Sequence, residues 1–236
     1  MLFPWVGLLE QMRLADVFVH YDDVQFSKGS FTNRVQLKTA AGTQWMTIPL
    51  RDRRLGMAIR EVQVAPSQEW RGRHDRLLGQ SLRAAPHKGE ALAMVGEVYD
   101  RHYPSIGHLA RASMIALGRY FGLLGSKYFL DSHDLGIKGS GSSRVLDIVR
   151  AVGGTTYITG HGARNYLDHE AFERAGVEVQ YMHYECLPYP QAWGEFTPFV
   201  SALDLVASMG RNGVRYLVSR GVPWRDFLHA SEMSRG

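Results

Sequence analysis

Two adjacent carboxylates, Asp22 and Asp23, close the apolar run "DVFVHY" and open a polar stretch that soon brings Gln25, Lys28, Asn33 and Arg34. Paired carboxylates can split their pKa values and share acid and base work, or hold a divalent cation. His20 stands two residues before Asp22, on the same side of an extended run. Lys28 and Arg34 suit an anionic group, and Asn33 offers a fixed hydrogen-bonding amide. Asp is also common after a strand because its side chain bonds nearby backbone. The residue types therefore leave two readings open, a plain polar turn and one wall of a polar pocket.

Three further stretches carry reactive or binding groups. "GIKGSGSSR" (136–144) is a glycine–serine turn running into a helix, with Ser142 or Ser143 as the expected cap. A helix start attracts anions, and Lys138 and Arg144 tilt this one toward phosphate or carboxylate. It lacks the Gly-Lys-Ser/Thr ending of a phosphate loop and the spacing of a dinucleotide fingerprint. In "TGHGARNYLD" (159–168) Gly160 and Gly162 flank His161, leaving the imidazole and backbone open to a ligand. Arg164, Asn165 and Tyr166 follow, and Asp168 reads as the N-cap of the next helix. "HYECLPYPQ" (183–191) holds Cys186, a candidate nucleophile if a base lowers its pKa, or a small buried apolar residue if none does. The remaining histidines, among them His74, His87, His102 and His108, lack metalloprotease spacing, so no metal is assigned.

These groups need elements to hold them. "DVFVHY", "KYFLDS", "TTYITG" and "VEVQYMHY" read as strands, separated by helical patterns in "SSRVLDIVRAVG" and "DHEAFERAG". The predicted class is α/β, with a mainly parallel sheet, flanking helices, an antiparallel hairpin and a mostly helical lobe. Segments 16–21, 127–131, 155–159 and 177–184 are expected in one sheet, and Asp22, Arg34 and His161 on one cleft at its strand ends. "FTNRVQLKT" and "TQWMTIPL" around "AAG" form the hairpin, and "IREVQV" (59–64) reads as another strand. From Ser67, read as a helix cap, to about residue 124 the pattern is helical. Residues 1–236 are expected as a single α/β domain, with 67–124 a lobe inserted in it or packed on it. Near the end, "SALDLVASMG" and "NGVRYLVSRG" read as helices, with Ser201 and Asp204 spaced as a capping box.

Composition sets outer bounds. Of 236 residues, 45% are hydrophobic and 21% charged, an ordinary globular balance. Net charge is +4, too mild and too scattered to argue for nucleic acid. The one cysteine excludes an intramolecular disulfide and fits a reducing, cytoplasmic setting. No basic leader precedes the apolar start, and no run approaches a membrane span.

"FPWVGLLEQM", "ADVFVHYDDVQFSKGSFTNRVQLKT", "IPL", "SSRVLDIVRAVGGTTYITGHGARNYLD", "AGVEVQYMHYECLPYPQ" and "FTPFVSALDLVASMG" stand in an order and spacing that closely resemble the WbqC-like family, over nearly the whole chain. The resemblance draws "DDVQF", with Asp22, Asp23 and Gln25, and the Asn33–Arg34 pair into one pocket. It also implies that Tyr189 and Gln191 position substrate. A further apolar strand and a Gln-Pro pair ahead of "FPW" belong to the family pattern and are not in this sequence, which opens "MLFPW". Members occur beside genes for bacterial O-antigen sugars and secondary metabolites.

That context implies a transferase placing an acyl or aminoacyl group on an amine of a sugar or metabolite, in those biosynthetic settings. His161, Asp22 and Cys186 are its candidate catalytic groups. A small-molecule substrate and an acyl carrier protein are the expected partners; the residues name no cofactor. Two other classes stand beside it. Adenylate-forming or nucleotidyl-transfer chemistry is faintly echoed by "FPWVGLLEQM" and "SSR", without the His-x-x-His pair it needs. A non-catalytic partner of a biosynthetic enzyme or carrier protein would use the same pocket for binding.

Overall fold

A computed structural model describes residues 1–125 and 128–233. In chain order it runs α1 (Val6–Leu14), β1 (Val17–His20), β2 (Arg34–Thr39), β3 (Gly42–Thr47), β4 (Leu50–Arg51) and β5 (Gln63–Val64). Three helices follow: α2 (Arg71–Ser81), α3 (Lys88–Tyr99) and α4 (Ile106–Tyr120). Strands and helices then alternate through β6 (Tyr128–Asp131), α5 (Gly141–Ala151), β7 (Thr156–Thr159), α6 (His169–Arg174) and β8 (Glu178–His183). Last come α7 (Leu203–Met209), β9 (Arg220–Pro223) and α8 (Trp224–Met233). The class is mixed α/β, and among the described residues no helix is long and apolar enough to cross a membrane.

The elements sort into two compact units. One gathers Met1–Leu9, Asp22–Gly125 and Cys186–Leu217; the other gathers Glu10–Tyr21, Ser126–Glu185 and Val218–Gly236. In the first, β2 and β3 form the predicted hairpin, paired from Arg34↔Thr47 to Thr39↔Gly42. Gly42 turns the chain at φ 93°, a left-handed conformation that favours glycine. The helical stretch belongs to the same unit. On α4, Ile106, Leu109, Ala110, Ser113, Met114 and Leu117 are buried, a stripe at helical spacing. Ser105 caps that helix by accepting the His108 N–H. Truncating a fully buried leucine such as Leu117 to alanine would cost about 2–5 kcal/mol.

In the second unit β1 pairs with β6 in parallel, and β7 pairs in parallel with β8, whose other edge takes β9 antiparallel. Its core joins Val149 of α5, Phe172 of α6, Val179 and Tyr181 of β8, and Ala163 and Leu167 between them. Asp168 caps α6 as the sequence predicts, its Oδ1 accepting the Ala171 N–H at 3.0 Å.

Several sequence expectations need correction. The parallel strands do not form one sheet: β1–β6 and β7–β8–β9 are separate, because no described strand joins β1 to β7. Lys127, expected to start the third strand segment, lies outside the described residues. "IREVQV" is a 3-10 turn, Ile59–Glu61, before the two-residue β5; the Glu61 carboxylate accepts the Ala58 N–H at 2.8 Å and holds the turn. Ser67 caps no α-helix, since it opens a 3-10 turn and α2 starts beyond Trp70, whose buried indole donates to the Ala65 carbonyl at 2.9 Å. "NGVRYLVSRG" is not one helix either. A 3-10 segment, Gly210–Tyr216, is followed by β9, which completes the edge of β8, and α8 follows it without having been expected.

Candidate functional site

The second unit places polar side chains at the carboxyl ends of its parallel strands, where open α/β sheets build their sites. His20 ends β1 and Asp131 ends β6, and the two are register partners. His20 Nδ1 lies 3.1 Å from Asp131 Oδ1. His20 is buried, with 8% of its surface exposed, while the Asp131 side chain keeps 19%. An Nδ1–H donating to the carboxylate fixes the tautomer and leaves Nε2 as the basic nitrogen. A base oriented by a third group is the arrangement that activates nucleophiles. Imidazole nitrogen and carboxylate oxygen are also donor types that divalent transition metals accept.

The turn before α5 departs from the reading of its serines. Ser140 is the residue at the cap position and makes no side-chain cap bond. Ser142 Oγ instead accepts the Asp168 N–H at 2.8 Å, and Ser143 Oγ donates back to the Ser140 carbonyl at 3.3 Å. Both hydroxyls are drawn to nearby backbone. Arg144 is buried: its Nε donates to the Ile137 carbonyl at 3.0 Å, and its guanidinium carbon lies 4.9 Å over the Tyr21 ring. Lys138 is exposed on the same turn.

His161 follows β7 as expected. Its Nε2–H donates to the Met182 carbonyl at 2.7 Å, and its ring lies 5.1 Å from Tyr184 and 4.8 Å from Phe227. The backbone bond leaves Nδ1 as the accepting nitrogen. Arg164, Asn165 and Tyr166 are exposed on the turn after it. His169 packs flat on Trp224, 4.6 Å between rings, and meets the Tyr181 hydroxyl at 2.8 Å. Burial lowers its pKa.

In the first unit, Asp22 is buried and its carbonyl accepts the Arg60 N–H at 2.9 Å. Asp23 is half-buried, and Gln25 and Lys28 are exposed, Gln25 bridging Ala58 through its backbone. Asn33 is buried, with Nδ2 donating to the Ile48 carbonyl at 2.9 Å. Arg34 lies 4.0 Å over the Trp45 ring and donates to the Gly29 carbonyl. Cys186 is half-buried and holds φ at 48°, uncommon for a residue with a side chain. His183, in the second unit, lies 3.8 Å from the Glu185 carboxylate.

Tyr189 and Gln191 belong to a buried network. The Tyr189 hydroxyl donates to Asp204 Oδ2 at 2.9 Å, and Gln191 Nε2 donates to that hydroxyl at 3.1 Å and to the Thr197 carbonyl at 2.9 Å. Lys38 Nζ donates to Gln191 Oε1 at 3.0 Å, to the Gly194 carbonyl at 3.2 Å and to the Glu195 carbonyl. Burial pushes the Asp204 carboxyl above its ordinary value, and the Tyr189 phenol well above its own. The expected capping box is therefore not made. Asp204 turns to Tyr189, while the Ser201 N–H donates to the Gln36 carbonyl.

Sequence reasoning missed Asp131 and Lys38, and gave Asp204 a capping role alone. For Asp131 a signal existed, because "VFVH" and "YFLD" are apolar runs that each end on a titratable residue.

Residues 1–216 match the sequence model of the WbqC-like protein family. The chain is 30% identical over 217 residues to the uncharacterized protein Rv1507c of Mycobacterium tuberculosis, covering 91% of this chain and 93% of that one. No solved structure matches.

Proposed function

The chain belongs to the WbqC-like protein family, and on that footing we propose that it is a transferase moving an acyl or aminoacyl group onto an amine of a sugar or secondary-metabolite intermediate. The observation that carries this reading is the His20–Asp131 pair, its imidazole buried, at two parallel strand ends. An amine attacking an acyl carbonyl must shed a proton as the new bond forms. His20 Nε2 takes that proton, and the Asp131 carboxylate stabilises the resulting imidazolium. With a thioester donor, the C–N bond forms, the C–S bond breaks, and the proton passes from Nε2 to the leaving thiolate. General-base assistance of this kind is worth about 10²–10⁴ in rate.

His161 and Asp22 are the other candidate bases, and Cys186 is the group that would carry the acyl chain in a two-step version. Lys138, Arg164 and Arg34 are the cations proposed for an anionic part of donor or acceptor. A carrier protein holding the acyl group as a thioester is the proposed partner.

The test incubates the protein with acyl and aminoacyl thioesters and a set of amino sugars and small amines, following thiol release and amide formation by mass. Amide formed with the wild-type protein and lost in His20→Gln supports the reading. Thioester consumption no faster than without protein, across every acceptor, overturns it.

A further inference from the structure

Between residues 24 and 60, in the first unit, Asp52 is the sole acid against seven lysines and arginines. Lys28, Arg51, Arg53 and Arg54 among them are exposed, on two segments, 26–31 and 51–56. The segments are neighbours. Gln25 bridges Ala58, and the Phe26 N–H donates to the Met57 carbonyl at 2.9 Å. The Arg53 guanidinium carbon lies 6.0 Å from the centre of the Phe26 ring. Farther along segment 26–31, the Gly29 carbonyl accepts from Arg34, whose guanidinium carbon lies 4.0 Å over the Trp45 ring.

Apolar side chains stand among these cations. Leu55 is 95% exposed, at the tip of a closed turn. The Met57 N–H donates to the Arg54 carbonyl at 3.4 Å, and Gly56 takes φ 88°, as the third residue of a type II turn requires. The Arg54 N–H also meets the Met57 sulfur at 3.2 Å. The backbone thus holds Leu55 outward. Beside segment 26–31, Phe31 is 44% and Trp45 40% exposed, with ring centres 5.5 Å apart. Exposed apolar groups gathered within a polar surface mark a place of interaction.

We propose that segments 26–31 and 51–56 dock the protein on a membrane of anionic phospholipid. Lys28, Arg51, Arg53 and Arg54 meet lipid phosphates, and Leu55 enters the boundary of the acyl chains. Phe31 and Trp45 lie at the level of the headgroups, where aromatic rings are favoured. Cations opposed only by Asp52 complement the negative surface of such a membrane. A leucine at a projecting tip needs no preformed pocket from a fluid bilayer, whereas a folded protein partner must supply one. Single-stranded nucleic acid fits less well, because it needs open aromatic faces for its bases. The Trp45 ring already carries the Arg34 guanidinium, with the Phe31 ring beside it. Attachment through so few groups is reversible and weakens with salt.

The experiment sediments the full chain with vesicles of phosphatidylcholine alone, or of phosphatidylcholine and phosphatidylglycerol at about 3:1. Expected is binding to the anionic vesicles at least about tenfold stronger than to the neutral ones, released as salt rises from about 0.05 to about 0.5 M. Replacing Arg53→Gln and Arg54→Gln together should weaken it at least about tenfold. Leu55→Ser keeps every charge and should weaken it at least about threefold, at an unchanged thermal midpoint. Leu55→Trp should strengthen it and add a fluorescence that shifts to the blue on the anionic vesicles; if the serine variant fails to fold, this one decides. Absence of binding to the anionic vesicles overturns the proposal, and so does equal binding to both kinds. Wild-type binding by Leu55→Ser, with no blue shift in Leu55→Trp, also overturns it. The surface would then read charge alone, that of an acidic protein or a nucleic acid.

Discussion

His20 and Asp131 are register partners on a parallel strand pair, and their side chains meet at 3.1 Å between Nδ1 and Oδ1. Direct neighbours on one face of a pair hold each other's orientation, so neither side chain needs a loop to place it. Asp131→Asn is expected to keep the fold and lower amide formation at least tenfold, because an amide neither fixes the donating tautomer nor stabilises an imidazolium. His20→Gln should lower it further, because it removes the ring nitrogen that takes the proton. Wild-type rates in both variants, with unchanged thermal midpoints, would remove the pair from the chemistry.

Much of the strand–helix alternation was legible because its signals are local. The β2–β3 hairpin around "AAG", the α4 stripe and the Asp168 cap are each set by residues within a few positions of one another. The single sheet and the capping box failed because distant partners set them. The expected single sheet depended on whether any strand joins β1 to β7, which no local pattern encodes. Asp204 sits three residues after Ser201, as a capping box requires, yet its carboxylate is taken by Tyr189. At the candidate site, His20 was readable from its place beside the carboxylates. For Asp131 only its place at a strand end was readable; its pairing with His20 was not, since the register of two strands separated by over a hundred residues is a tertiary fact.

Cys186 offers a sharp choice of mechanism. Direct attack by the acceptor amine needs no covalent acyl-enzyme, so Cys186→Ala should keep at least half of the wild-type rate. The protein incubated with thioester donor alone should then show no added mass on the peptide containing "HYECLPYPQ". A stable acyl adduct on Cys186, together with loss of transfer in Cys186→Ala, would establish the two-step route instead.

Lys38 tests whether the Tyr189–Gln191 region is structural. Its ammonium donates to Gln191 Oε1 and to the Gly194 and Glu195 carbonyls, tying the hairpin strand β2 to segment 191–195 of the same unit. Lys38→Met keeps the stem and removes all three bonds, so it should cost about 2–3 kcal/mol. The expected result is a lower urea midpoint with an unchanged slope. A midpoint equal to wild type, combined with a raised KM for the acceptor, would return Gln191 to substrate positioning and add Lys38 to it.

His74 makes stability depend on pH with a definite sign. The ring is buried against Trp70, with Nε2–H donating to the Thr47 carbonyl at 3.0 Å and Nδ1 accepting from the Tyr99 hydroxyl at 3.0 Å. Both bonds suit the neutral imidazole. Burial lowers its pKa from the ordinary 6.5, outweighing the raising effect of the Thr47 bond. A histidine whose folded pKa lies below its unfolded value leaves the unfolded chain binding more protons as pH falls. Its contribution is therefore fully present above about 6.5 and is lost as pH drops from there toward the folded value. His74→Gln can keep hydrogen bonds to Thr47 and Tyr99 but cannot titrate. Unfolding in urea from about pH 7.5 down to about pH 5 should therefore show a shallower loss of stability in the variant than in wild type. Parallel curves for the two proteins would show that His74 protonation does not drive the acid sensitivity.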